Sequence, residues 1–104
     1  MDIDKNKVCD LVDNFCLILK LSEKTKNDAR AIVGGIDPKK HINIVWAEYD
    51  EIAASVVYIG SIIHGERVTQ KKIQKECNVP IHRIRKIHHE IIKKIDIIGL
   101  CEGI

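Results

Sequence analysis

The sequence of 104 residues lacks the features that mark a membrane protein or a secreted one. It contains no run of eighteen apolar residues, the length that a helix needs to cross the lipid core. Its first ten residues have no apolar centre like that of a signal peptide. The sequence therefore predicts an intracellular protein with no membrane partner.

Closely spaced cysteines are also missing. The four cysteines stand at positions 9, 16, 77 and 101, and no two of them form a C-x-x-C pair. A zinc site needs closer ligand pairs, and a disulfide is unusual inside a cell. Cys9 and Cys16 are two helical turns apart, which places both on one stripe of a helix. We interpret the cysteines as small buried hydrophobic residues.

No motif of a catalytic or nucleotide-binding site is present. The G-x-S-x-G, P-loop and dinucleotide-binding glycine patterns are all absent. Residues 89–93 (HEIIK) resemble the zinc-protease motif, but Lys93 occupies the place of its second histidine. The adjacent His88 and His89 point to different faces of a helix. The sequence therefore predicts no enzyme, no metal site, no cofactor and no small-molecule substrate.

Positive charge is present and is concentrated in one segment. Residues 1–66 carry eight Lys or Arg against eleven Asp or Glu, a balance of −3. Residues 67–95 carry nine basic residues against two acidic ones, a balance of +7, and the last nine residues add −2 to give the net charge of +2. Such a concentration is typical of a phosphate-binding surface, although a solvated lysine-rich face has the same composition.

Apolar residues recur at three- and four-residue intervals and predict a single all-α domain over residues 1–104, with five helices. The first helix covers about residues 4–20, and the second extends from a Ser22 cap to Gly34 and Gly35. Segment 39–49 is a strand, a connection or the start of the next helix. We interpret it as a connection with Trp46 packed against the bundle.

The third helix begins near Asp50, is capped by Asp50 or Glu48, and ends at Gly65. It is apolar nearly all round and contains several small residues. A helix without a polar face must be surrounded, and small residues let its neighbours approach closely. We therefore expect it to be the central helix of the bundle.

Two basic helices complete the chain. Thr69 caps the first, residues 78–80 end it, and the second carries an apolar stripe of Ile84, Ile87, Ile91 and Ile95. Two helices joined by a short turn, the second amphipathic, form a helix-turn-helix, here over about residues 69–95. With the stripe inward, a rotation of roughly 100° per residue places Arg85 at its margin and four side chains outward: His82, Arg83, Lys86 and His89.

In a DNA-binding helix-turn-helix the second helix lies in the major groove and the first crosses the backbone. Arginine pairs with guanine, histidine can bond a base edge, and lysines and helix N-termini bind phosphates. The predicted base-contacting residues are His82, Arg83, Arg85, Lys86 and His89. The predicted phosphate-contacting residues are Arg67, Thr69, Gln70, Lys71 and Lys72. The alternative is a helical hairpin whose charges contact only water.

Residues 53–91 resemble the second cyclin-like repeat of transcription factor IIB and of its archaeal counterpart, transcription factor B. Residues 10–24 are similar to the family's first helix and the following cap, so the resemblance covers about residues 10–97. The matching positions are 58–61 (YIGS), 65–67 (GER), 69–70 (TQ), Ile73, Val79 and 84–85 (IR).

The resemblance implies a five-helix cyclin-like bundle that ends in a helix-turn-helix and binds double-stranded promoter DNA with TATA-binding protein. In the family this repeat contacts the B recognition element, and the positions of His82 and Arg85 read bases. It implies a location in the cytoplasm or nucleoid of an archaeon, or in the nucleus of a eukaryote.

This sequence departs from the family in lacking the zinc ribbon, the finger segment and the first cyclin repeat. Segment 39–49 replaces a short turn, and Pro80 replaces a threonine. We therefore expect a DNA-binding domain and not a complete initiation factor. The alternative is a cyclin-type adaptor that binds proteins and not DNA.

Overall fold

The computed structural model describes residues 3–100, and within that range it contains helices and no strand. The seven helices are α1 (Lys5–Leu19), α2 (Glu23–Gly34), α3 (Ile42–Val45), α4 (Tyr49–Ile63), α5 (Gln70–Cys77), α6 (Ile81–Lys94) and α7 (Ile97–Leu100). The predicted all-helical class is confirmed. The predicted number of five was too low because α3 and α7 have four residues each, too few to show an apolar period. None of the described helices has the length and apolar character needed to cross a membrane.

Helices α1 and α2 begin and end close to the predicted positions, and a polar side chain caps the start of each. The Asp4 carboxylate accepts a hydrogen bond from the Lys7 N–H at 3.2 Å. The Ser22 hydroxyl accepts one from the Thr25 N–H at 3.3 Å. These caps satisfy amides that no helical carbonyl reaches. Lys20, at φ 57°, then ends α1 in the left-handed conformation.

Helix α4 is the centre of the bundle, as its composition predicted. It packs against α1, α2 and α6. Glu48 precedes its first residue, and the Glu48 N–H donates to the Glu51 carboxylate at 3.1 Å, which forms a capping box. Its buried residues are Ile52, Ala53, Ala54, Ser55, Val56, Val57, Ile59, Gly60 and Ser61.

Small residues set the distances between α4 and its neighbours. A Cβ at Gly60 would lie 2.9 Å from the Thr25 carbonyl oxygen, so α2 can approach this closely only because residue 60 is glycine. Ser55 is fully buried, and its hydroxyl bonds the Glu51 carbonyl at 2.7 Å and lies 3.4 Å from the Ile84 carbonyl of α6. The small residues of α4 thus allow close approach on two sides.

Segment 39–49 differs from the prediction. It contains α3, which the buried Ile44 and Val45 attach to the core. Trp46 was predicted to pack against the bundle, but 67% of its surface is exposed. The prediction was wrong because the two preceding apolar residues occupy the core and direct the indole ring to the surface.

The cysteines are partly as predicted. Cys16 is buried, whereas Cys9 and Cys77 are half-buried, and Cys101 lies outside the described residues. Burial raises the pKa of Cys16 to about 11 and that of Cys77 to about 11. These two thiols are therefore protonated at neutral pH and behave as packing groups.

Replacing Gly60 by alanine should lower the free energy of unfolding by about 1–3 kcal/mol, because the added methyl group forces α2 away from α4. The matched control is Gly34→Ala, where an added Cβ meets nothing within 4 Å. That change should be neutral or stabilising by up to about 1 kcal/mol, since alanine favours a helix more than glycine does. Chemical denaturation measures both variants, and an equal effect would contradict the close α2–α4 approach.

Candidate nucleic-acid interface

The loop between α4 and α5 is attached to α2 by Glu66. The Glu66 carboxylate accepts hydrogen bonds from the Ser22 N–H at 3.0 Å, from the Ser22 hydroxyl at 2.7 Å and from the Thr25 hydroxyl. Burial opposes ionisation of Glu66, but these hydrogen bonds prevail and hold its pKa below the ordinary value. Gly65 and Arg67 on either side take positive φ angles of 68° and 54°. The loop therefore has a fixed conformation before α5 begins.

A second contact between the same parts of the molecule involves a histidine. His64 Nε2 lies 2.5 Å from an Asp28 carboxylate oxygen, and both side chains are largely buried. The contacts that Glu66, His64 and Asp28 make between the α4–α5 loop and α2 were not predicted. Their partners are 36–44 residues away along the chain, so no local pattern identifies them.

Helix α5 presents its basic side chains to solvent. The Thr69 hydroxyl accepts a hydrogen bond from the Lys72 N–H at 3.0 Å, which confirms Thr69 as the cap. Ile73 is fully buried and holds the helix against the core. Arg67, Lys71 and Lys72 are exposed. The cap uses an acceptor lone pair of the Thr69 hydroxyl, so its O–H, the backbone and the basic side chains are left to contact an anion here.

The turn between α5 and α6 uses a side chain from α5 where a local cap is missing. Asn78 ends α5 in the left-handed conformation, at φ 57°. Pro80 precedes α6 and makes no side-chain cap. The side-chain amide oxygen of Gln74 instead accepts a hydrogen bond from the Ile81 N–H at 2.8 Å. This bond and the buried Val79 fix α6 relative to α5.

The predicted inner stripe of α6 is confirmed, since Ile84, Ile87, Ile91 and Ile95 are all buried. On the outer side four predicted base-contacting residues are exposed. Arg85, predicted at the margin of the stripe, is among them. We call these four the basic face of α6: His82, Arg85, Lys86 and His89.

Arg83 does not belong to this face. Its guanidinium lies 3.0 Å from a Glu51 carboxylate oxygen of α4, and 29% of its side chain is exposed. The predicted outward orientation of Arg83 was wrong because Glu51 stands beside α6 and attracts it. Burial opposes ionisation of Glu51, but the hydrogen bond from Arg83 helps to keep its pKa below the ordinary value. The capping box and this ion pair therefore share one carboxylate.

Arg85 connects the basic face to α5. Its Nε–H donates to the Gln70 side-chain oxygen at 3.2 Å. Gln70 is the first residue of α5, so the start of α5 lies beside the first half of α6. A residue predicted to contact phosphate and one predicted to contact a base are thus in direct contact. The bond to Gln70 uses Nε–H, and the terminal N–H groups of Arg85 have no hydrogen-bond partner among the described residues.

The two adjacent histidines have different surroundings. His88 is half-buried, with Nδ1 3.1 Å from the Ile84 carbonyl oxygen and its ring edge-on to Tyr58 at 5.2 Å between centroids. Burial lowers the pKa of His88, which favours the neutral ring. His89 is exposed. Over residues 3–100, no three His, Cys, Asp or Glu side chains are grouped so that they could hold a metal ion.

A cleft of about 340 Å³ lies between α3 and α6, on the side of α6 that faces away from Gln70. Trp46, which the sequence predicted to pack against the bundle, forms part of the cleft. Its lining residues are Asn43, Trp46, Arg83, Lys86, Ile87 and Glu90.

Comparison with known proteins finds a relative that aligns with most of this chain. No family model and no solved structure matches the chain. Transcription initiation factor IIB 1 of Thermoplasma volcanium is 30% identical over 96 residues, which cover 91% of this chain. The aligned region spans 30% of that relative's own length. The resemblance seen over residues 10–97 is confirmed by this similarity: the chain is related to the transcription initiation factor IIB family.

Proposed function

We propose that the chain is a DNA-binding domain of the transcription factor IIB type. In this proposal the bundle is cyclin-like, and α5 and α6 form its helix-turn-helix. The observation that carries the proposal is the basic face of α6, which adjoins the start of α5 through the contact between Arg85 and Gln70. The balance of +7 over residues 67–95, in a chain related to an initiation factor, supports the same assignment.

In the proposed complex α6 enters the major groove. The terminal N–H groups of Arg85 would bond a guanine, and His82, Lys86 and His89 would contact neighbouring base edges. Helix α5 would cross the backbone, with Arg67, Lys71 and Lys72 at phosphates. Gln70 and the amides of the first turn would position α5, and the Thr69 O–H would donate to a phosphate.

The proposed role is at promoters and is not enzymatic. We infer that the domain contacts promoter DNA beside TATA-binding protein, because the relative is named as a transcription initiation factor. An intracellular location follows from that role. Since the chain spans 30% of the relative, the proposal concerns DNA contact and not the relative's complete activity.

Affinity for a DNA duplex should fall steeply as salt concentration rises. If Arg67, Lys71 and Lys72 each neutralise a phosphate, log K against log salt should have a slope of about −2.7. Fluorescence anisotropy of a labelled duplex measures this, with and without TATA-binding protein. A weak and flat response would contradict DNA binding and favour the protein-interaction adaptor.

Arg85→Ala should relax sequence preference, since it removes a group that discriminates one base pair by about 1–3 kcal/mol. The matched control is Lys71→Ala, which should weaken binding equally on all sequences and reduce the salt slope by about 0.9. Selection from a randomised duplex pool, followed by affinities for the selected and shuffled sequences, measures both. A uniform loss from Arg85→Ala would make Arg85 a phosphate contact.

Glu51→Gln should raise DNA affinity about two- to fivefold, because it removes the anion that holds Arg83 away from the basic face. Glutamine can still accept the capping hydrogen bond from the Glu48 N–H. Glu23→Gln is the control, since it removes one negative charge from the exposed pair with Lys26. If both variants gain equally, the effect is one of net charge and Arg83 takes no part in binding.

A further inference from the structure

We propose that the cleft between α3 and α6 binds one sugar–phosphate unit of the DNA backbone, with Trp46 against the deoxyribose and Lys86 at the phosphate. This inference rests on the proposed function and extends the interface to α3. It gives a function to α3, which lies in segment 39–49, where the sequence departs from the family.

The position of Trp46 is set by the core of the bundle. Ile44 and Val45 immediately precede it and Ala47 follows it, and all three are buried. Helix α3 packs directly against α6. The backbone of Trp46 is therefore anchored beside α6, while 67% of the residue's surface is exposed. A site whose parts are already in place loses little conformational freedom on binding.

The charges around the cleft leave one cation without a partner. Glu51 is paired with Arg83 at 3.0 Å, and Glu90 is paired with Lys94 at 3.1 Å. Lys86 is exposed and has no carboxylate partner among the described residues. Glu90 also lines the cleft, one helical turn from Lys86, but it is paired with Lys94. A phosphate would therefore supply Lys86 with a counter-charge of its own.

The chemistry of the cleft favours a nucleic-acid strand over an apolar protein surface. An apolar partner seated on Trp46 would also remove water from the Lys86 ammonium without giving it a counter-charge, and this is costly. A sugar–phosphate unit has both an apolar ring and an anion, and indole offers an apolar face with an N–H donor.

The position of the cleft beside the basic face of α6 also favours a DNA strand as its occupant. Lys86 belongs both to the basic face of α6 and to the lining of the cleft, so its ammonium would here contact a phosphate at the margin of that face and not a base edge. With α6 in the major groove, a strand that borders the groove would pass α6 on the side of α3. One continuous strand could then contact Lys86 and Trp46 together.

Trp46 is the single tryptophan of the chain, so its fluorescence reports on the cleft alone. The unmodified chain is titrated with a mixed-sequence duplex of about two helical turns, without TATA-binding protein, at low salt. We expect the duplex to shift the emission and to lower the acrylamide quenching slope by about half, because a bound strand covers one face of the ring. An unchanged slope at saturating duplex would overturn the inference and leave the cleft to a protein partner.

The energetic test compares Trp46→Ala with Leu17→Ala, an exposed apolar residue of α1. Trp46→Ala should weaken duplex binding about three- to tenfold, Trp46→Phe should weaken it less, and Leu17→Ala should leave it unchanged. Equal affinities for all three variants would overturn the inference while DNA binding itself stands. Absence of salt-dependent binding by the unmodified chain would instead contradict the proposed function.

Discussion

The burial of α4 is the constraint on which the rest of the structure depends. A helix without a polar face gains stability only when most of its surface is covered, and α1, α2 and α6 cover the nine buried residues of α4. Gly60 and Ser55 fix how near two of these neighbours come. Since α6 is one of them, its orientation is determined by the same packing that forms the core, and its outer face is presented on a rigid element.

The sequence was sufficient to predict what depends on local pattern. The apolar periods located α1, α2, α4, α5 and α6, and the cap residues Ser22 and Thr69 marked two starts. The inner stripe of α6 was also predictable, because isoleucines three and four residues apart share a face. These features depend on residues within two helical turns of each other, so the sequence pattern alone is enough to predict them.

What the sequence did not reveal depends on contacts between distant residues. Arg83 looked like an outward-facing residue until α4 was seen to place Glu51 beside it. Trp46 was predicted to pack against the bundle, yet Ile44 and Val45 are the residues of α3 that enter the core. Glu66 lies in the matching segment 65–67, but its contacts were not predictable because its partners belong to the start of α2. In each case the packing of the folded chain decides where the side chain lies, and periodicity does not show it.

The hydrogen bond between Arg85 and Gln70 has a consequence for the cost of recognition. A free arginine side chain samples many rotamers, and ordering it against a ligand costs about 1–2 kcal/mol of conformational entropy. Here the Nε–H is already engaged at 3.2 Å, so part of that entropy is lost when the domain folds. In the proposed complex the guanidinium would meet its base with fewer orientations left to lose, so the folding of the bundle would lower the cost of binding.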